Sequence, residues 1–490
     1  MSALAPVLAA KLPSAGVIAA ALLGALVVVA ALAVLMRRRA EAFPLLAILA
    51  LPFRLPISAE GRTVNLLIPL YLVVAAGTVS HLLPRLIARV GGQHARGEDQ
   101  PVGDAADGPS EGSPAAEVVS LRDPASWLRP RGLQWMLFAA IALYALQTSY
   151  SADPAKAAAN LAFFYIPFGL LFVLLREVRW TRELLVRCLG IAVVLAVLFA
   201  GVGFVEYQRK ALFLNPKVVA ANEFDNYFRV NSVFFDPNIY GRFLALVMIA
   251  VTAVVLRSRR RRDVLLAAAV LAWLLAGLVT SFSQSSIAAL LLGLAVLAAW
   301  RWDVRGTIYV SAGVLALGGA LLLLAPASLH FGLKGSGGST SNATSGRTKL
   351  ISGGLGLFAR RPLEGYGPGS FEKEYRQHNS NANFANATSA SHTIPVTVAA
   401  EQGILGLGVY VALLLSAFFV LYRGAGRSPP RIAIAACFAA LVLHTWTYAD
   451  FLEDPMTWTL LGIGVALASP ARAGHAMGAR SARTGSASSF

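Results

Sequence analysis

The sequence predicts an all-α polytopic membrane protein, and three observations carry that prediction. Of its 490 residues 57% are hydrophobic and only 14% are charged, against about 25% charged in a soluble chain. The apolar residues gather in runs close to the roughly 20 that a helix needs to cross hydrocarbon. Short basic clusters punctuate those runs, such as Arg37–Arg39 and Arg259–Arg262. Together these exclude a secreted enzyme, a cytosolic nucleotide-binding enzyme and a DNA-binding domain. The net charge of +17, from 42 basic and 25 acidic residues, would otherwise hint at nucleic acid. Here it marks cytoplasmic loops under the positive-inside rule.

Spans are predicted near 16–36, 43–57, 64–83, 133–150, 158–175, 184–205, 239–256, 264–281, 286–300, 307–326, 402–422, 431–449 and 456–469. That is about 12–13 transmembrane helices. The second is short and holds Pro52 and Pro56, so it reads as broken or re-entrant. Arg37–Arg39, Arg176/Arg179/Arg182, Arg257–Arg262, Arg301/Arg305 and Arg423/Arg427/Arg431 all become cytoplasmic in one threading, which places the N-terminus outside. The first run is followed, not preceded, by its arginines, the reverse of a cleavable signal.

Four regions follow: N-terminal transmembrane helices over 1–89, a disordered cytoplasmic linker over 90–130, a membrane domain over 131–470, and a disordered tail over 471–490. The linker (GEDQPVGDAADGPSEGSP) is too poor in large apolar residues to fold. Within the membrane domain, loops 206–238 and 327–396 fall on the extracytoplasmic side. The longer loop holds Leu350, Ile351, Leu355 and Phe358 at helical spacing, which predicts an amphipathic helix near 347–361. Cys188 and Cys437 lie far apart in apolar runs, and no metal-ligand spacing exists, so neither a disulfide framework nor a metal or other cofactor is expected.

Polar residues in these outer segments are the candidate site. The long loop carries seven Lys/Arg against three Glu, which fits an anionic ligand or anionic lipid headgroups. Its glycine-rich GYGPGSF stretch (Gly365–Phe371) lacks the ending of a phosphate-binding P-loop. It reads instead as a tight turn where backbone meets a neighbour or ligand closely. His392 is a candidate proton acceptor, since imidazole titrates near neutrality. Glu401, at the mouth of a span, either faces a cavity or stabilises a helix start. Asp236-Pro237-Asn238 is a helix-entry signal. Arg229 precedes that entry. Arg242 lies a turn inside the span, where a guanidinium must snorkel, pair or line a polar cavity. The TSFSQSS turn (Thr280–Ser286) is either a tight outer turn or a polar floor beneath a ligand.

Taken in order, these pieces resemble the O-antigen ligase and O-antigen polymerase family of membrane glycosyltransferases over about residues 130–465. An R…N…FxxPN entry, a T-x-S-x-S turn, a long loop with an arginine-led helix, the RPLEGYGPGSF stretch and a histidine followed by EQGILGL carry the likeness. The resemblance implies a C-type glycosyltransferase architecture with an active site at the outer face. It implies transfer of a glycan from an undecaprenyl-diphosphate donor to an acceptor hydroxyl on a glycan or a lipid, without a metal or nucleotide sugar. His392 matches the histidine that activates the acceptor, with Glu401 beside it. Arg347 matches a diphosphate contact, and Arg229 and Arg242 are further ones. Gln284 stands where ligase-like members commonly carry arginine, and Ser391-His392-Thr393 replaces a His-Asn pair. The expected partners are the lipid-linked donor, the acceptor and membrane lipids, with no nucleic acid. The alternative is a transporter or flippase for an anionic or lipid-linked solute, which would show paired discontinuous helices.

Overall fold

A computed structural model describes residues 15–59, 62–85, 87, 130–213, 222, 228–302, 305, 340–378, 391 and 393–469. The N-terminal part comprises α1 (Ala15–Arg38), α2 (Ala42–Ala50), an antiparallel hairpin of β1 (Leu55–Ala59) and β2 (Arg62–Leu66), and α3 (Ile68–Arg85). Helices α4 (Pro130–Thr148), α5 (Pro154–Glu177), α6 (Arg182–Arg209), α7 (Pro237–Val255), α8 (Arg261–Thr280) and α9 (Gln284–Arg301) follow. The long loop contributes α10 (Thr340–Arg360) and α11 (Phe371–His378). Helices α12 (Ile394–Tyr422), α13 (Pro429–Thr447) and α14 (Pro455–Ala468) close the chain.

Among the described residues nine helices are long and apolar enough to cross a membrane. The protein is therefore a helical polytopic membrane protein, with fewer spans in view than the 12–13 expected. The span expected at 307–326, the tail and nearly all of the 90–130 linker lie outside the described residues. The span expected at 43–57 is corrected. Its helix stops after nine residues at Ala50, because Pro52 and Pro56 cannot supply the amide hydrogens that a continuing helix needs. The chain then enters the hairpin, the one departure from an all-α fold among the described residues.

Helix starts follow a repeated local device. Asp153, Asp236 and Asp454 each precede a proline, and each carboxylate accepts a backbone N–H of the first turn, from Lys156 (3.2 Å), Asn238 (2.6 Å) and Met456 (2.8 Å). Proline suits that first turn because its missing donor would be unpaired there anyway. All three caps lie at the same end of the bundle. At the other end Arg187 pairs with Glu41 (2.8 Å) and Arg85 with Glu177 (3.1 Å).

Two apolar cores share α13. One joins α1–α5 with α12–α14 around Phe43, Phe168, Phe438 and Trp458; the other joins α6–α9 around Phe199, Phe234 and Tyr240. Helix α7 is the most enclosed long helix, whereas α1 and α8 present most of their apolar surface outward, as lipid-facing helices must. Glu206, fully buried near the end of α6, accepts the N–H of Ser232 (2.7 Å) and of Phe213 (3.1 Å) and so anchors the connection into α7.

Candidate functional site

The glycine-rich stretch is the keystone of the end that carries the Asp-Pro caps. Helix α12 is interrupted at Gly403, whose φ of +64° no side-chain-bearing residue adopts readily. The interruption frees backbone groups that the loop takes up: Gly367 N donates to Glu401 O (2.7 Å), Tyr366 N to Ala400 O (3.2 Å) and Ile404 N to Pro362 O (2.8 Å). The α4–α5 turn grips the loop from its other side. Ala152 N donates to Tyr366 O (3.0 Å), Ser151 Oγ to Pro368 O (2.7 Å) and Tyr150 OH to Glu364 O (2.8 Å). Gly367 has φ +88°, and a Cβ there would strike the Ser151 backbone. The expected close backbone approach is thus met, by protein rather than ligand.

Beside this keystone lies a cavity of about 320 Å³. Glu401 lines it, as one of the two readings of that residue required. Its carboxylate also accepts the N–H of Phe371 (3.0 Å), the first residue of α11. It therefore serves the start of a neighbouring helix, not that of its own. Tyr144 from α4 and Tyr165 from α5 form one wall, with ring centroids 4.2 Å apart. Tyr165 ends a π-helical turn, Leu161–Tyr165, that interrupts α5; such turns often mark functional sites.

The loop between α13 and α14 brings Asp450 and Glu453 to the same cavity. Asn160 Nδ2 donates to Glu453 (3.1 Å) and to the Tyr144 hydroxyl (3.1 Å). The loop is clamped: Thr457 Oγ1 donates to Phe451 O, Trp458 Nε1 to Leu452 O (2.8 Å), and Arg242 Nη1 to Ala449 O (3.3 Å). Burial, reinforced by the charges of Asp450 and Glu401, holds the Glu453 carboxyl above the usual range, with Lys156 and Arg54 opposing. Burial likewise raises Asp450, against the pull of Arg242 and Arg54. Arg54, just after the truncated α2, lies 5.2 Å from the Phe235 ring centroid, and Lys156 pairs with Glu372 at 3.4 Å. Both cations line the cavity.

A second polar cluster lies deeper. Arg242, 1% exposed, is ion-paired with Asp454 at 2.7 Å. Of the sequence readings for this arginine, the structure shows pairing: its guanidinium is enclosed and turned to the protein's own acid. Ser283 Oγ donates to Asn238 Oδ1 (2.9 Å), and Ser286 Oγ lies 3.1 Å from His444 Nε2. Thr280–Ser286 is thus a tight turn whose serines face inward, and Gln284 is exposed at the start of α9. Arg229, half-buried, donates to Ser281 O (3.2 Å) and Asn238 Oδ1 (3.3 Å).

Glu401 is therefore the expected site residue that reaches the cavity. Arg229, Arg242 and Gln284 gather around the α7–α9 contact. Arg347 sits in α10, with its side chain outside the described residues, and His392 lies outside them altogether. Its neighbour Ser391 is buried and tied to Thr397 Oγ1 (3.1 Å), and Thr397 lines the cavity. Sequence reasoning missed Arg54, Lys156, Asn160, Asp450, Glu453 and His444. An available signal was an ionisable residue within or just beyond an apolar run, which marks a site by default. The expected helix near 347–361 begins earlier, and its inward face differs: Leu357 is 2% exposed and Leu355 50%.

The fold and the cavity define a polytopic helical membrane protein with a polar cavity at one end of its bundle. Residues 269–411 match the family model described as O-antigen ligase, so this stretch is similar to that family, in keeping with the resemblance read from the motifs that lie within it. The matched stretch runs from α8 through the glycine-rich loop into α12 and includes Glu401 and Gly403. No curated protein matches the chain.

Proposed function

We propose that the protein is a membrane glycosyltransferase that moves a glycan from a polyprenyl-diphosphate-linked donor to an acceptor hydroxyl at the outer face of the cytoplasmic membrane, as a ligase or polymerase. One observation carries this reading: the cavity lies against Gly369, Thr397 and Glu401, inside the matched stretch and at the end opposite the arginine clusters. The positive-inside rule makes that end extracytoplasmic.

In the step proposed, the acceptor oxygen attacks the anomeric carbon of the donor sugar. The bond from that carbon to the diphosphate breaks, and its electron pair leaves with the diphosphate. His392 takes the hydroxyl proton. Fixed cations near a low-dielectric surface stabilise the charge that develops on the leaving group. Arg347 and Arg229 take that role from the family likeness, as does Gln284, which is exposed at the start of α9; Arg54 and Lys156 are the cations that the cavity itself offers. Arg242 acts as a positioning residue, holding the 449–454 loop in place. Interrupted helices would also suit a transporter, but at Gly403 the freed backbone groups are bonded to the glycine-rich loop and so are withheld from a solute.

The test is transfer in proteoliposomes supplied with a polyprenyl-diphosphate-linked repeat unit, comparing wild type with His392→Ala. Lengthened lipid-linked chains from wild type alone support a polymerase; a single transfer to added acceptor supports a ligase. Movement of the donor across the bilayer without transfer overturns the reading.

A further inference from the structure

We infer that His444 is a positioning residue for Arg229, holding its guanidinium through a chain of hydrogen bonds so that the remaining N–H groups are ready for a phosphate. This rests on the proposed transferase for the source of the phosphate, not for the chain itself.

The guanidinium sets the direction of the chain. Arginine can only donate. Its Nη2 donates at 3.3 Å, so the Asn238 atom that it meets is the amide oxygen. Ser283 Oγ, 2.9 Å from the same oxygen, donates to it as well. A hydroxyl has a single hydrogen, so Ser283 accepts from Ser286 Oγ at 2.8 Å. Ser286 has then used its own hydrogen and accepts from His444 Nε2 at 3.1 Å. The network therefore assigns a hydrogen to Nε2. Ser285 Oγ lies further from Ser283 and His444, at 3.2 and 3.4 Å. His444 Nδ1 has no hydrogen-bond partner among the described residues, so the polar role of the ring runs through Nε2.

His444, Ser283 and Ser286 are each 0% exposed, so solvent does not make good a lost link. Gly241 lets α9 come this close to α7: a Cβ there would stand 2.7 Å from Ser286 Oγ. At the far end Arg229 gives Nε to Ser281 O (3.2 Å) and one Nη2 hydrogen to Asn238. Nη1 and the second Nη2 hydrogen have no partner among the described residues. Together they form the fork that grips two oxygens of a phosphate. Without His444 the Ser286 hydrogen turns to Asn238 O, 3.2 Å away. Ser283 then loses its incoming bond, and the Asn238 amide is free to turn over. Its NH2 would meet the guanidinium donor to donor, and Arg229 would leave its pose. The chain thus pre-organises the cation before any ligand arrives.

Binding of radiolabelled inorganic pyrophosphate to the full-length protein in detergent micelles would be measured by equilibrium dialysis, with thermal unfolding of each variant alongside. Arg229→Ala and His444→Leu should each weaken binding by about tenfold. The two together should weaken it no further than Arg229→Ala alone, because His444 acts through Arg229. His444→Gln, whose amide N–H can donate in place of Nε2, should stay within about twofold of wild type. Ser286→Ala cuts the same chain one link further on and stands in for His444→Leu should that variant not fold. The inference is overturned by a wild type that binds no pyrophosphate, by Arg229→Ala or the chain variants binding as wild type does, or by losses that add. A folded His444→Gln as weak as His444→Leu overturns it too, since the ring would then be a packing element. The expected pattern with no transfer in proteoliposomes would sink the transferase reading and leave the chain standing. Transfer by wild type with His444→Leu unimpaired would sink the chain and leave the transferase.

Discussion

The cavity wall and the Arg242 cluster use the same residue types, acids and cations set into an apolar bundle, and do opposite things with them. In the deeper cluster the charges close on each other. Arg242 meets Asp454 at 2.7 Å with both side chains 1% exposed. At the cavity Glu453 is held by the neutral amide of Asn160 at 3.1 Å, and Glu453, Asp450, Arg54 and Lys156 line the same space without an ion pair between the acids and the cations among the described residues. An ionisable residue inside a membrane bundle is a site hypothesis by default, and this pair of regions shows what decides it. An acid whose cation is within contact distance holds the fold together; one that lines a cavity without an ion pair is the candidate for a ligand.

The largest expected effect breaks the closed side. Arg242→Met leaves Asp454 buried without its cation, which costs about 3–5 kcal/mol. Adding Asp454→Asn should recover most of that loss in thermal unfolding followed by tryptophan fluorescence in micelles. A single variant as stable as wild type would mean that the pair is not closed.

Next comes the keystone that separates loop from helix. Gly367→Ala forces a side chain onto a φ of +88°, costing about 1–3 kcal/mol before its clash with Ser151 is counted. The loop should undock, visible as new proteolytic cleavage near residue 365. Unchanged protection would refute the docking described.

The open side is sharpened by pH. The Glu453 carboxyl titrates above its ordinary range because burial, with the charges of Asp450 and Glu401, penalises the anion. The folded protein therefore holds a proton there that the unfolded chain has already lost. Stability from this residue is complete below the unfolded value and falls as pH rises towards the folded one. Glu453→Gln, neutral throughout, should match wild type at acid pH and grow more stable relative to it as pH rises. A difference that stays flat with pH would show that the carboxylate is well solvated.

The smallest stability effect belongs to Gln284→Ala. Its side chain is exposed, so unfolding should shift by less than about 0.5 kcal/mol. A fall in transfer at unchanged stability would then place Gln284 on substrate, and unchanged transfer would remove it from the site.

Helix positions and the glycine-rich turn were legible because their causes are local. An apolar run near 20 residues, an Asp-Pro entry such as that at 236, and three glycines spaced by one residue each state their conformation through neighbours in the chain. The truncation of α2 was half legible, since Pro52 and Pro56 announced a break but not the hairpin that follows. Glu401 was legible as a costly acid at the mouth of a span. Glu453 and Asp450 were not, because an acid in a short polar connection between spans reads as a solvated turn until the packing of α4, α5 and α12 is known.

The sequence by itself determined the membrane class, most of the helices, their caps and the segment that carries the family likeness. Each depends on free-energy terms that a stretch of chain settles alone, by burying apolar surface or capping an N–H. Tertiary structure alone decided which charges are partners. Arg242 reaches the carbonyl of Ala449, 207 residues further on, and no local pattern records that meeting. The Coulomb energy that makes an arginine a strut depends on distance and enclosure, and those exist only once the helices have packed.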